Sequence, residues 1–227
     1  MAQNLTLSDA DHAAISQAVA DAEAKSAGEI VTILAERSDS YNDVALVWSA
    51  FVAFLALTVL ALLPDFYLGL IDRVLGRWEP EWSAREIFGL AALVATLKFT
   101  GMWLLHLWRP LRLFLVPGPL KHARVRARAI TLFRVGAERR TAGRTGILIY
   151  LSLAEHRAEI VADEAIASQV SPEVWGDAMA AMLDEIRAGR IGAGMAAAVT
   201  KVGEVLAQHL PRAENDTNEL PDRLIEV

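Results

Sequence analysis

The stretch "VALVWSAFVAFLALTVLALL", residues 44–63, holds no ionisable side chain. About 20 residues at ~1.5 Å rise each cross a ~30 Å hydrocarbon core, so an uncharged run of this length reads as a transmembrane helix. Directly before it stands "GEIVTILAERSDSYND", residues 28–43, whose β-branched alternation reads as a strand and its loop. A lone strand needs partners. Those partners must come from sequence beyond the apolar run, and this requirement organises the rest of the chain.

A second run, "IFGLAALVATLKFTGMWLLHLW" at 87–108, is long enough to span but carries Lys98 near its middle. A mid-span Lys costs roughly 2.5–3.5 kcal/mol, which the surrounding apolar residues offset. Trp103 and Trp108 near its end, with Trp48 in the first span, suit an interfacial aromatic belt; Trp78 and Trp82 fall in the connecting loop, at the opposite interface. Small residues Ala92, Thr96 and Thr100 on the second span, and Ser49, Ala53 and Ala56 on the first, favour close approach of the two helices as a hairpin. The first span offers no acid to Lys98, so Lys98 is an intramembrane functional candidate with three readings: a partner membrane protein supplies a carboxylate, a phospholipid headgroup is drawn inward, or the span is shifted and Lys98 has no role.

Charge orients the hairpin. The loop 64–86 has three Arg, whereas residues 109–128 hold Arg109, Arg112, Lys121, Arg124, Arg126 and Arg128 and no acid. The side richer in Lys and Arg is cytoplasmic. Two spans return the chain to its starting side, so both termini are expected in the cytoplasm. These six cations sit beside the bilayer and are expected to contact lipid headgroups, at about 1 kcal/mol each, in preference to nucleic acid. The net charge of −6 conceals this block, since residues 1–43 carry eight acids and two bases. The start "MAQNLTLSDADHAAISQAVADAEAK" has no basic n-region, apolar h-region or small-residue cleavage site, so it reads as no secretory signal peptide. The absence of Cys excludes disulfides, thiolate metal sites and a Cys nucleophile.

Outside the spans the pattern is α/β. Ser8 with Asp11 forms a capping box ahead of a helix bearing Ile15, Ala18, Val19 and Ala22, which "SAG" at 26–28 ends. After the basic block, Val125, Ala129, Leu132, Phe133 and Gly136 lie on one helical face. "ILIYLSL" at 147–153 reads as a central strand covered on both faces, and "RAEIVAD" at 157–163 as its half-exposed hairpin partner. Ser171 and Pro172 open a further helix with a stripe from Val174 to Ile186. "GRIGAG" at 189–194 reads as the turn to a last helix bearing Met195, Ala198, Val199, Val202, Val205 and Leu206. One helix and one strand at 8–36 cannot make a core. The economical organisation is therefore one domain split by the hairpin: residues 1–43, spans within 44–108, a basic juxtamembrane segment 109–123, and the remainder of the domain at 124–227.

The order helix, "GEIVTILAERSDSY", helix, "RTGILIYLSLAEHRAEIVAD", "VW" helix, Gly-rich turn, helix resembles the TPM-domain family. The ending "DTNELPDRLIEV" is similar to its membrane-associated bacterial branch. The resemblance covers residues 8–43 and 124–227. It implies a small sheet sandwiched by helices, here interrupted by a two-helix transmembrane hairpin, in a bacterial inner membrane. It also implies either an accessory or binding role in a membrane complex, or phosphatase activity with divalent-cation binding. Where many relatives carry Gly-x-Gly after the third strand, this chain has "VADEA".

No H-E-x-x-H, G-x-S-x-G or Walker A pattern is present. "TAGRTG" precedes a strand and "GRIGAG" separates helices, so neither follows a strand to open a helix around phosphate. The five His show no ligand spacing. Candidate metal ligands are the acids at strand ends and in the tail, Asp39, Asp43, Asp163, Glu164 and Asp216, because Ca²⁺ or Mg²⁺ takes several convergent oxygens. The leading expectation is a membrane-bound binding or accessory module needing no cofactor. The alternative is a divalent-metal-dependent phosphatase using Ca²⁺ or Mg²⁺.

Overall fold

A computed structural model describes residues 7–76, 81–136, 145–212 and 219–227. Ser8 starts the first helix, α1 (Asp9–Glu23), through the expected capping box: its hydroxyl accepts from the Asp11 amide at 3.2 Å while the Asp11 carboxylate accepts from the Ser8 amide at 3.0 Å. The first strand, β1 (Glu29–Ala35), is buried along its whole length. Its partner β2 (Gly146–Ser152) is equally buried and lies parallel to it, from Glu29 opposite Gly146 to Ala35 opposite Ser152. β3 (Arg157–Ala162) runs antiparallel on the far side of β2. β4 (Ile225–Glu226) adds two parallel residues beside Ile33 and Leu34, completing the order β3-β2-β1-β4. Neither the brief strand β4 nor the short helix α7 (Glu164–Ala167) is foreseen in the sequence reading.

Alternation divides the sheet's side chains between two cores. Ile30, Leu34, Ile147, Ile149 and Leu151 point to one face, which is covered by α1, α8 (Trp175–Arg187) and α9 (Ile191–His209) through Ile15, Val19, Met182, Met195, Val199 and Val202. Val31, Ile33, Ala35, Leu148 and Tyr150 point to the other, which α6 (Gly118–Gly136) covers with Val125, Ala129 and Phe133. Each such aliphatic side chain contributes about 1.5–3 kcal/mol on full burial. The result is a helix–sheet–helix sandwich. A polar group sits among these apolar side chains: Thr32 is buried in β1 and its hydroxyl has no hydrogen-bond partner among the described residues.

Two local readings change. "GRIGAG" is not wholly a turn. Gly189, at φ +80°, makes the turn, and α9 begins at Ile191. Gly192 and Gly194 lie inside α9, where a Cβ on Gly194 would stand 2.9 Å from the Met182 carbonyl and one on Gly192 would strike Asp11. Close helix packing, not turn geometry, requires them. Ser171 does not cap α8 with its side chain; a 3₁₀ turn at Pro172–Val174 precedes that helix.

The chain divides into two compact units, Met1–Asp39 with Pro119–Val227, and Ser40–Gly118. The second unit consists of α2 (Asn42–Leu62), α3 (Pro64–Leu75), α4 (Ala84–Leu105) and α5 (Arg109–Leu115). α2 and α4 pack along each other and are long and apolar enough to cross a membrane. Ser49 and Ala53 are buried in this contact, but Ala92, Thr96 and Thr100 are exposed on α4. The half-buried small residues of α4 are Ala91 and Ala95, while Thr96 and Thr100 line the rims of grooves shared with Ala50, Ala53 and Leu46 of α2. Residues 64–75, expected as loop, form α3: Pro64 cannot continue α2 and, at N1, pre-sets the next helix. Trp78 lies outside the described residues.

Candidate functional site at the two ends of the sheet

Open α/β sheets bind ligands beyond the carboxyl ends of parallel strands. Here that edge lies after Ala35 and Ser152, and the ladder continues past it, with Leu153 N–H donating to the Ala35 carbonyl at 3.0 Å and Ala154 N–H to that of Glu36 at 3.0 Å. A polar network fills the edge. The Ser38 amide donates to both Glu155 carboxylate oxygens at 3.0 and 3.3 Å. The Ser38 hydroxyl donates to the Ser152 hydroxyl at 3.0 Å and lies 2.9 Å from the Tyr150 hydroxyl. Ser152 in turn donates to Glu155. Tyr150, Ser152 and Glu155 are buried. Burial pushes the Tyr150 phenol above its ordinary range, against the Ser38 hydrogen bond. These groups satisfy one another and join the loop after β1 to the β2–β3 turn, in which His156 adopts φ +51°.

α6 brings its cations to the same edge. Arg124 pairs with Asp39 at 2.9 Å, and Glu159 receives His122 at 3.3 Å and Arg126 at 3.6 Å. Glu159 sits opposite Tyr150 and is 10% exposed in its side chain, so the basic helix meets one buried acid and the half-buried Asp39 here. Glu159 is missing from the sequence-based candidates. Alternation in "RAEIVAD" places it on the α6 face with Val161, which is the signal that could have found it. Arg112 lies in the other unit, where its guanidinium donates to the Ser40 and His106 carbonyls and the Asn42 side chain. Arg109, Arg126 and Arg128 are exposed and Lys121 is half-exposed.

A second acidic group occupies the amino edge of the same strands. Glu23 accepts from the Ile30 amide at 2.8 Å, and Glu29 accepts from the Leu220 and Glu219 amides at 3.0 and 3.3 Å. Burial pushes the Glu23 carboxyl up to about 8, reinforced by Glu29 and by Asp222, with which it shares a hydrogen bond. Asp163 is buried at this end too, donating its amide to the Gly146 carbonyl at 2.9 Å and standing at the N-cap of α7, with Glu164 next to it.

The sequence-proposed ligands are therefore divided. Asp39 lies at the carboxyl edge; Asp163 and Glu164 lie at the amino edge. Seven strand residues at ~3.3 Å each place those edges about 20 Å apart, far beyond the reach of one ion's ligands at ~2.3–2.6 Å. Asp43 is in the first turn of α2, in the other unit, and Asp216 lies outside the described residues. Among the described residues no three His, Asp or Glu side chains are grouped to hold a metal ion. Lys98 is exposed midway along α4.

Residues 116–205 match the family model described as the TPM domain. The match takes in α6, β2, β3, α8 and most of α9; α1 and β1, which the same sheet and core require, lie on the other side of the hairpin. The fold is similar to the solution structure of the BA42 protein from the psychrophilic bacterium Bizionia argentinensis, with a TM-score of 0.57 at 18% identity over 100% of both chains. No curated protein matches the sequence.

Proposed function

We propose that the chain is a bacterial inner-membrane protein with two spans and both termini in the cytoplasm, its TPM domain serving as a binding or accessory module of a membrane complex. The parallel pairing of β1 with β2 carries this reading. α2 and α4 lie between those strands in sequence, so the sheet closes only if the chain leaves the cytoplasmic side and returns to it. Spans must satisfy every backbone group internally, which two complete helices do. Only residues 36–41 separate β1 from α2, a short tether for the domain.

Arg109, Arg112, Lys121, Arg124, Arg126 and Arg128 follow the second span and are the cations proposed to meet lipid headgroups, with Lys121 and Arg128 the foremost of them. Lys98, midway along α4, is the contact for an acidic side chain on a partner span. The polar network at the carboxyl edge supports a shaping role, since its hydroxyls and carboxylate are engaged with one another.

The alternative, a divalent-metal-dependent phosphatase, would draw on Asp163 and Glu164 at the amino edge. One comparison separates the two. The purified full chain is assayed on p-nitrophenyl phosphate with Ca²⁺, Mg²⁺ or chelator, and membranes bearing wild type or Lys98→Leu are solubilised for quantitative co-purification. The module reading expects no metal-dependent turnover and loss of a stoichiometric membrane partner in Lys98→Leu. Chelator-sensitive turnover abolished by Asp163→Asn would establish the alternative. Unchanged co-purification would leave Lys98 without a partner role.

A further inference from the structure

The segment joining α2 to α4 carries an exposed apolar row on a helix. On α3, Phe66, Leu70 and Val74 recur at i, i+4 and i+8 and are 64%, 44% and 77% exposed. Beside them on the outward arc lie Asp65, Gly69 and Arg73, also exposed. The inward side differs: Tyr67, Leu68 and Ile71 are half-buried and Asp72 is buried, held by the Trp82 indole N–H at 3.1 Å. The outward surface is thus split lengthwise into an apolar half and a polar half, the pattern of a helix lying along a lipid–water boundary.

We infer that α3 is an interfacial helix, seated with Phe66, Leu70 and Val74 among the acyl chains of the leaflet reached after the first span. The inference rests on the two-span reading and adds to it a second, distal contact with lipid.

Its depth argues for lipid as the occupant. Leu68 shares a groove of about 240 Å³ with Leu57 and Ala61 of α2 and Ile87, Phe88 and Ala91 of α4. Leu57 lies five residues before the end of α2 at Leu62, about 7.5 Å at 1.5 Å per residue. Interfacial helices bury their apolar face about 5–10 Å into the headgroup–acyl boundary. α3 therefore folds back beside the span ends at that depth. Its apolar row is also continuous with exposed Leu62 and Leu63 at the end of the first span. A water-facing helix would leave this row solvated.

The chain has no Cys, so single labels report cleanly. The full protein is placed in nanodiscs of equal parts phosphatidylcholine and phosphatidylglycerol, with an environment-sensitive fluorophore on Phe66→Cys, Val74→Cys, Asp65→Cys or Arg73→Cys, and on mid-span Leu55→Cys and Leu97→Cys. Positions 66 and 74 are expected to be quenched by aqueous iodide roughly threefold less than 65 and 73, and to be quenched by lipid nitroxides placed near the headgroup. Equal iodide quenching at all four, with 55 and 97 still shielded, overturns the interfacial helix and leaves the spans intact. Iodide access at 55 and 97 overturns the two-span reading and the inference together. Efficient disulfide formation between two Phe66→Cys chains would seat a second copy on this face in place of lipid, and so overturn the lipid assignment.

Discussion

The guanidinium of Arg112 donates to the main-chain carbonyl of Ser40, 2.9 Å away and 72 positions earlier in the chain. The same side chain donates through Nε to the His106 carbonyl at 2.7 Å and through Nη1 to the Asn42 side chain at 3.1 Å. Ser40 and Asn42 stand at the start of α2 and His106 at the C-cap of α4, so one fork ties the two feet of the hairpin. Lys cannot reproduce that planar fork.

Arg112→Lys is therefore expected to lower the stability of the hairpin unit by about 1.5–3 kcal/mol, the range for charged hydrogen bonds. Trp fluorescence during thermal unfolding in detergent reads this, because Trp48 donates to the Leu115 carbonyl at 3.2 Å beside the same feet. A Lys variant as stable as wild type would show that charge alone suffices there.

Glu23 makes stability depend on pH. Burial pushes its folded carboxyl up to about 8 from the ordinary 4.5. Below 4.5 it is protonated in folded and unfolded chains alike, so its stabilisation is fully present. As pH rises from 4.5 towards 8 the unfolded chain ionises first, and stability falls until the folded group ionises too. Glu23→Gln keeps an acceptor for the Ile30 amide and removes the charge facing Glu29 and Asp222. Its denaturant midpoint is expected to change less between pH 5 and pH 8 than that of wild type. An identical slope in both proteins would place the titration elsewhere.

Thr32→Val is expected to stabilise the sheet by about 1 kcal/mol, because it replaces a buried hydroxyl lacking a partner with a methyl group of the same shape. Equilibrium urea unfolding measures it. Destabilisation by a similar amount would mean that the hydroxyl is hydrogen-bonded in solution.

Gly203→Ala sets two effects against each other. Helix propensity favours Ala by up to ~1 kcal/mol, but the added Cβ would stand 2.5 Å from the Ala22 Cβ and 3.2 Å from its Cα. Overpacking costs about 1–3 kcal/mol and cannot be relieved by a short Ala side chain, so a net loss is expected in the same unfolding measurement. A gain would show that α1 and α9 have room to separate.

Periodicity made much of this architecture legible. The apolar runs, the continuous burial of β2, and the stripes on α1 and α9 follow from side-chain spacing, which local sequence records. What escaped depends on distant partners. Glu159 looks like any strand acid until α6 places Arg126 and His122 against it. Two residues of β4 carry no pattern of their own and pair only because β1 leaves Ile33 and Leu34 an edge to fill. Gly192 and Gly194 resemble turn residues because spacing cannot reveal that Asp11 and Met182 crowd them. The acids at the strand ends were legible as acids, but their separation to opposite edges required the strand directions.

The central claim is that two membrane crossings deliver both parts of one sheet to the cytoplasmic side. Topology reporters fused after Val227 and inserted after Gly76 test it most directly, in cells expressing the full chain. The account predicts opposite sides, with the Val227 fusion active only as a cytoplasmic reporter and the Gly76 insertion only as an external one. A Val227 fusion reporting from outside, or both sites reporting from the same side, would contradict it.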